Sequence, residues 1–152
     1  MGGVEEVLIM GREKGLKRIL FPIQLFHISL DNHDGEVFKP RVPFVFGDEE
    51  DSTIKRVCFS SSISGAYRAI TFTETCGEDC YIHVPEKLEN IIRNGHLYKP
   101  STELVFDADI TDEYWIKCSV KMKCIGLARF YYNIRPNCLK KPKVNFKWIE
   151  KY

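Results

Sequence analysis

The sequence predicts an α+β domain, mostly β, on three observations. Short runs rich in branched and aromatic residues recur between Gly, Pro, Asp and Asn, the composition of strands punctuated by turns. Helical patterning is confined to two brief stretches, "SSISGAYRAI" and "EKLENIIRNG". The 152 residues, 44% hydrophobic and 12% aromatic, suit one buried core rather than disorder or several domains.

Taken in order, "RILFPIQLFHISL" is short of helix formers and predicts a strand around Gln24 to Ser29, which "DNHDG" then breaks. In "FKPRVPFVFGDEED", Pro40 and Pro43 flank Arg41 and Val42, force extended backbone before each ring and predict a long ordered loop. Strand character returns from Ile54 to Ser60. Ser61 or Ser62 is placed to cap a short helix running through Ala66 and Ala69. "CYIHVP" is a strand stopped by Pro85, and "EKLENIIRNG" a helical turn or two ended by Gly95. "ELVFDADI" and "DEYWIKCSV" read as strands joined by an acidic connection, followed by "CIGLARFYYNI" and "VNFKWIEKY". Residues 1–152 are expected to form a single domain with its core at about 18–135, an N-terminal extension at 1–17 and a basic C-terminal segment at 136–152.

The net charge of +1, from 22 basic and 21 acidic residues, argues against a chain whose main work is neutralising phosphates. The acidic run "GDEED" and the five lysines of "LKKPKVNFKWIEKY" are solvated loop and tail by default. At the N-terminus "VLIM" is too short for a secretory signal, and Glu5 and Glu6 stand where such a signal carries positive charge. Gly2 does not make a myristoylation motif, because position 6 is Glu6. No run nears the roughly 18 apolar residues of a membrane span. A cytoplasmic protein is expected, in its own or a host cell. Of six cysteines, only Cys76 and Cys80 lie close together, at a spacing that is not CxxC. A zinc site completed by Cys118 and Cys124 is geometrically open but not expected, and no metal is assigned.

Three segments carry a polar group among aromatics: His27 in "LFHIS", the serines of "VCFSSSISGAY", and Glu113 in "DEYWI". Singly, each has a plain structural explanation as a hydrogen-bonded strand histidine, a helix cap and a strand-edge charge. In order and spacing they resemble the ADP-ribosyltransferase fold, in its His-Tyr-Glu branch of diphtheria-toxin-like and poly-ADP-ribose-polymerase-like enzymes. "LFHIS" is similar to that family's first core strand, "RVCFS" and "SGAY" to its next strand and helix, and "DEYWI" to its late strand. The resemblance covers roughly Leu25 to Phe130.

What the resemblance implies is a small stand-alone member with split antiparallel sheets and a few short helices, acting on NAD. Breaking the nicotinamide–ribose bond passes through an oxocarbenium-like cation, which a nearby carboxylate stabilises. Glu113 would be that carboxylate, facing His27 across a cleft, with Asp112 turned to the other side of the strand. His27 would hydrogen-bond a ribose hydroxyl. Ser64 would meet the carboxamide, Tyr67 would stack on the nicotinamide ring, and Ser29, Ser60 and Trp115 would complete the dinucleotide site. Arg41 suits a pyrophosphate, though it is equally a loop arginine beside the acidic run.

The sequence also departs from the family. Cys58 stands where a tyrosine is usual, leaving one wall of the nicotinamide sandwich to Phe59 or Trp115, and Ile28 stands where glycine or alanine is common. Thr111, two residues before Glu113, is not the Glu or Gln of arginine-modifying members. The implied function is ADP-ribose transfer from NAD to an unidentified macromolecular or small-molecule acceptor, as in bacterial or viral effectors, toxins and counter-defence proteins. The alternatives are an idle NAD- or nucleotide-binding module of the same fold, or a small nucleic-acid-binding β domain using Phe146, Trp148 and Tyr152 among its lysines.

Overall fold

The computed structural model describes residues 6–8, 15–42, 53–70, 78–105, 108–133 and 143–152, with 6–8, 132–133 and 143 as backbone only. Its strands are β1 (Glu6–Leu8), β2 (Leu16–Ile19), β3 (His27–Ser29), β4 (Val37–Phe38), β5 (Val57–Ser60), β6 (Asp79–Pro85), β7 (Leu97–Pro100), β8 (Glu113–Ile116), β9 (Val120–Asn133) and β10 (Lys143–Lys151). Its helices are α1 (Ile63–Ile70), α2 (Leu88–Arg93) and α3 (Ala108–Thr111). The described residues form an α+β, mostly β architecture of two antiparallel sheets, ordered β1-β2-β7-β8-β5 and β10-β9-β6-β3, with β4 paired to β9.

Alternation along the strands decides what each face buries. In the first sheet, Val57, Phe59, Tyr114 and Ile116 turn to one face and join Val120 and Met122 of β9 in a core between the sheets. Cys58 and Trp115 turn to the other face, with Leu16, Tyr98, Val105 and Ala108. In the second sheet, Ile28, Cys80, Ile82, Ala128 and Phe130 face Ala66 and Tyr67 of α1. Each fully buried Leu, Ile or Phe in these clusters contributes about 1.5–3 kcal/mol of apolar burial, so removing one large core side chain is felt by the whole fold.

Helix α1 forms because Ser62 caps it: its Oγ accepts the Gly65 N–H at 2.9 Å and donates to Asp112 Oδ2 at 2.7 Å. The helix then presses onto the ends of β5 and β8. A Cβ on Gly65 would stand 2.5 Å from Ser60 Oγ and 2.5 Å from the Thr111 carbonyl oxygen, so only glycine admits this approach. Strand β9 is long and crosses both β6 and β10. It admits Trp148 over Gly126, where a Cβ would lie 2.6 Å from the indole.

The structure differs from expectation at several points. "ELVFDADI" is not a strand: residues 102–104 are a turn and α3 follows, because this stretch lies across the outer core, with Val105 and Ala108 buried there. "DEYWIKCSV" is not one strand either. It stops at Ile116 and resumes as β9 at Val120, in the other sheet. Strands β2 and β7, at "LKRI" and "LYKP", were not expected; β2 bonds β1 and β7, so the N-terminal segment belongs to the first sheet. The basic C-terminal segment does form the last strand read at "VNFKWIEKY", and as β10 it pairs with β9 in the second sheet. The acidic run "GDEED", Pro43, Cys76 and Cys138 lie outside the described residues.

Candidate functional site

The candidate site lies where the two sheets part. Phe26 and Ser60 exchange both backbone hydrogen bonds, at 2.7 and 2.9 Å, after which β3 leaves β5 and pairs with β6. Arg41 and Arg56 make a second such bridge at the other end of β5, at 3.1 and 3.0 Å. In an antiparallel ladder every second residue presents its N–H and C=O to the same side. Cys58, midway between the bridges, therefore turns its backbone groups to the gap, and its carbonyl accepts a hydrogen bond from the His27 ring.

His27 sits among aromatic rings, with Phe38 at 5.4 Å, His83 at 6.0 Å, Phe59 at 6.2 Å and His33 at 6.5 Å between centroids. Burial first, then the neighbouring His83 and His33, lower its pKa from 6.5 to about 4, against the smaller raising effect of the Cys58 carbonyl. The ring is neutral at pH 7. One nitrogen carries the proton donated to Cys58, so the other is an acceptor.

Glu113 opens β8 directly opposite Ser60. Its Oε1 accepts the Trp115 Nε1–H at 2.8 Å. The Cys58 side chain hydrogen-bonds both Glu113 and Arg56, and its thiol pKa is raised, by burial first and by the Glu113 charge second. Arg56 lies with its guanidinium carbon 4.1 Å from the Trp115 ring centroid, a cation stacked on an indole inside the protein. The acid is thus fixed by neighbours that are themselves buried. Just before it, Asp112 takes a left-handed φ of 51°, held by its carboxylate bond from Ser62 and by the Ser61 N–H to its carbonyl at 3.0 Å. Asp112 is therefore a turn residue bonded to the α1 cap, and not a strand residue opposing Glu113.

His27 and Glu113 do not face one another across a cleft. The His27 ring lies edge-on to Phe59, whose side chain leaves one face of the first sheet, while Glu113 leaves the other. They converge on Cys58, one through its carbonyl and the other through its thiol.

The remaining expected residues divide. Ser60 is buried and donates to the Thr111 carbonyl at 2.6 Å, so its hydroxyl serves the α1 junction. Ser64 is partly exposed in the first turn of α1, beside the cap. Arg41 is exposed, at the far bridge from Ser60. Tyr67 does not present a stacking face: it is 0% exposed and lies flat on Phe130, with ring centroids 4.3 Å apart and 6° between planes. Trp115 is also 0% exposed and cannot form a wall for a ligand, because its strand turns it into the outer core.

Ser29 belongs to a network the sequence reading missed. Its Oγ lies 3.1 Å from His33 Nε2, while His33 Nδ1 lies 2.7 Å from Glu36 Oε2. The His33 backbone N–H donates to Nε2 of the fully buried His83 at 2.9 Å. The cue was available in "HISLDNHDGE", where seven polar side chains fall within ten residues at the end of a strand. Among the described residues no group of three or more His, Cys, Asp or Glu is arranged to hold a metal ion. No family model, curated protein or solved structure matches the chain. Among the described residues no helix is long and apolar enough to cross a membrane.

Proposed function

We propose that the protein cleaves the nicotinamide–ribose bond of NAD and transfers the ADP-ribose to an acceptor still to be identified. The observation that carries the reading is a neutral imidazole bonded to the Cys58 carbonyl and, on the other side of the strand, a carboxylate held by an indole N–H that meets the thiol of the same residue. A ribose hydroxyl is a donor of the kind the His27 acceptor nitrogen needs. The Glu113 carboxylate, held by the Trp115 indole N–H and met by the Cys58 thiol, is the group that would stabilise an oxocarbenium-like transition state. The motif order in the sequence supports the same assignment.

A second reading, an idle nucleotide-binding module, is favoured by one observation. Tyr67 and Trp115, the aromatic residues expected around the nicotinamide ring, are both inside the core. Purified protein incubated with NAD separates the two. Nicotinamide release supports transfer or hydrolysis, calorimetric binding without release supports the module, and neither binding nor release removes both. The nucleic-acid reading has less to stand on: Phe146 stacks on Phe130 at 5.5 Å and Trp148 packs over Gly126, so one side of each ring is taken up by the second sheet, and of the three aromatic residues Tyr152 is the well-exposed one.

A further inference from the structure

We propose that Ser29 is an activated nucleophile, the hydroxyl of a Ser29–His33–Glu36 relay that takes acyl groups from small activated esters. This is separate from the NAD reading and needs neither Glu113 nor Cys58. Glu36 is acceptor-only when ionised, so the 2.7 Å contact places the His33 proton on Nδ1. Nε2 is then the basic nitrogen, and it is the atom 3.1 Å from Ser29 Oγ. The Asp31 N–H also donates to Ser29 Oγ, at 3.1 Å, so the hydroxyl's own hydrogen is directed to His33. A backbone donor on that oxygen also favours the alkoxide character a nucleophile requires. Nucleophile, base and orienting carboxylate thus meet the geometric signature of hydroxyl activation.

The relay is held in place and open to substrate. The His33 backbone is tied to buried His83, Gly35 donates to the Met122 carbonyl at 2.8 Å, and Asp34 Oδ1 accepts the Cys124 N–H at 2.9 Å. His33 keeps 24% and Glu36 57% of the side chain exposed, and Ser29 is partly exposed. Leu30, next to Ser29, is 59% exposed and supplies an apolar neighbour for a short acyl chain. In the reaction Ser29 Oγ bonds the ester carbonyl carbon and the carbon–alkoxide bond breaks. The Ser29 proton passes to His33 Nε2 and then to the departing alkoxide, and water later releases the acid by the same route.

The test is labelling of the full chain with a fluorophosphonate, in which the Ser29 oxygen–phosphorus bond forms, phosphorus–fluorine breaks, fluoride departs and the proton goes to His33. Peptide mapping is expected to place the adduct on Ser29 in the native protein, with labelling at least ~100-fold slower after denaturation and in His33→Ala, the scale of general-base assistance. Glu36→Gln, an exposed substitution that folding should tolerate, is expected to slow labelling as well. Absence of a Ser29 adduct, or a Ser29 adduct formed at the unaltered rate in His33→Ala or in Glu36→Gln, would overturn the proposal. Neither result bears on nicotinamide release.

Discussion

Trp115 holds Glu113: the indole Nε1 donates to the carboxylate Oε1 over 2.8 Å, from two residues along the same face of β8. A strand places residues i and i+2 on one side, so the acid and its donor are set by backbone geometry before any ligand arrives. Trp115→Phe keeps an aromatic ring in the outer core and under Arg56 while removing the donor and some buried indole volume. A hydrogen bond to a charged group is worth about 1.5–3 kcal/mol, and chemical denaturation should show a loss in that range plus a small repacking term. Nicotinamide release, on the proposed function, should fall ~10-fold or more because the carboxylate is no longer aimed.

Gly65 carries the junction of α1 with β5 and β8, where an added Cβ meets Ser60 Oγ and the Thr111 carbonyl. Gly65→Ala would ordinarily favour a helix, so propensity and crowding oppose each other here. Overpacking of about 1–3 kcal/mol exceeds the gain of about 1 kcal/mol from replacing a helical glycine, and the variant should be less stable. A denaturation midpoint equal to or above that of the unaltered protein would show that the junction relaxes freely.

His27 should make folding acid-sensitive. Its pKa is about 4 in the fold against 6.5 when unperturbed, so between those values the unfolded chain binds the extra proton. The contribution is complete above pH 6.5, is lost progressively as pH falls towards 4, and then levels off. Its size is up to about 3 kcal/mol. Buried His83, whose pKa is also lowered, acts in the same direction. Comparing denaturation midpoints at pH 7 and pH 4.5 isolates His27, because His27→Gln should lose much less stability over that interval than the unaltered chain. An equal loss in both would mean that His27 is not held neutral.

The paired charges on the sheet surface should matter little. Arg129 Nε lies 2.7 Å from Asp79 Oδ1, and its NH2 group donates to Oδ2 at 3.2 Å. Both side chains are well exposed, at 48% and 37%. Solvent screens such a pair, so Arg129→Ala should leave the denaturation midpoint nearly unchanged at moderate salt. A larger loss would point to Arg129 packing along β10.

The strands with the strongest composition, around His27, Cys58, Ile82 and Trp115, were legible because branched and aromatic residues there are bounded by turn residues. The cap of α1 was legible because Ser62 precedes an apolar periodic run. "LKRI" and "LYKP" were not, since four residues mixing lysine or arginine with apolar neighbours become strands only through partners far along the chain. "ELVFDADI" misled because apolar residues that pack against a sheet from a turn and a short helix look like a strand's own. His27 and Glu113 stood out in the sequence as polar groups among aromatics, but the facing pair expected of them is not formed: each meets a different part of Cys58 from opposite faces of the sheet. Which face each leaves depends on where β3 parts from β5, and that is set by the Phe26–Ser60 bridge, which local sequence does not announce. Tyr67 and Trp115 were placed at the ligand because aromaticity suits both a core and a stacking face, and burial alone separates the two.

The central claim is that Glu113 is the acid of an NAD-cleaving site. The measurement that tests it most directly is nicotinamide release from NAD by the purified protein and by Glu113→Gln, with NAD binding followed by calorimetry in both. The account predicts release by the unaltered protein that falls at least ~100-fold in the variant, while NAD affinity changes only a few-fold, the pattern of a group that acts in the transition state. Release at the same rate from Glu113→Gln, or no release by the unaltered protein, would contradict it.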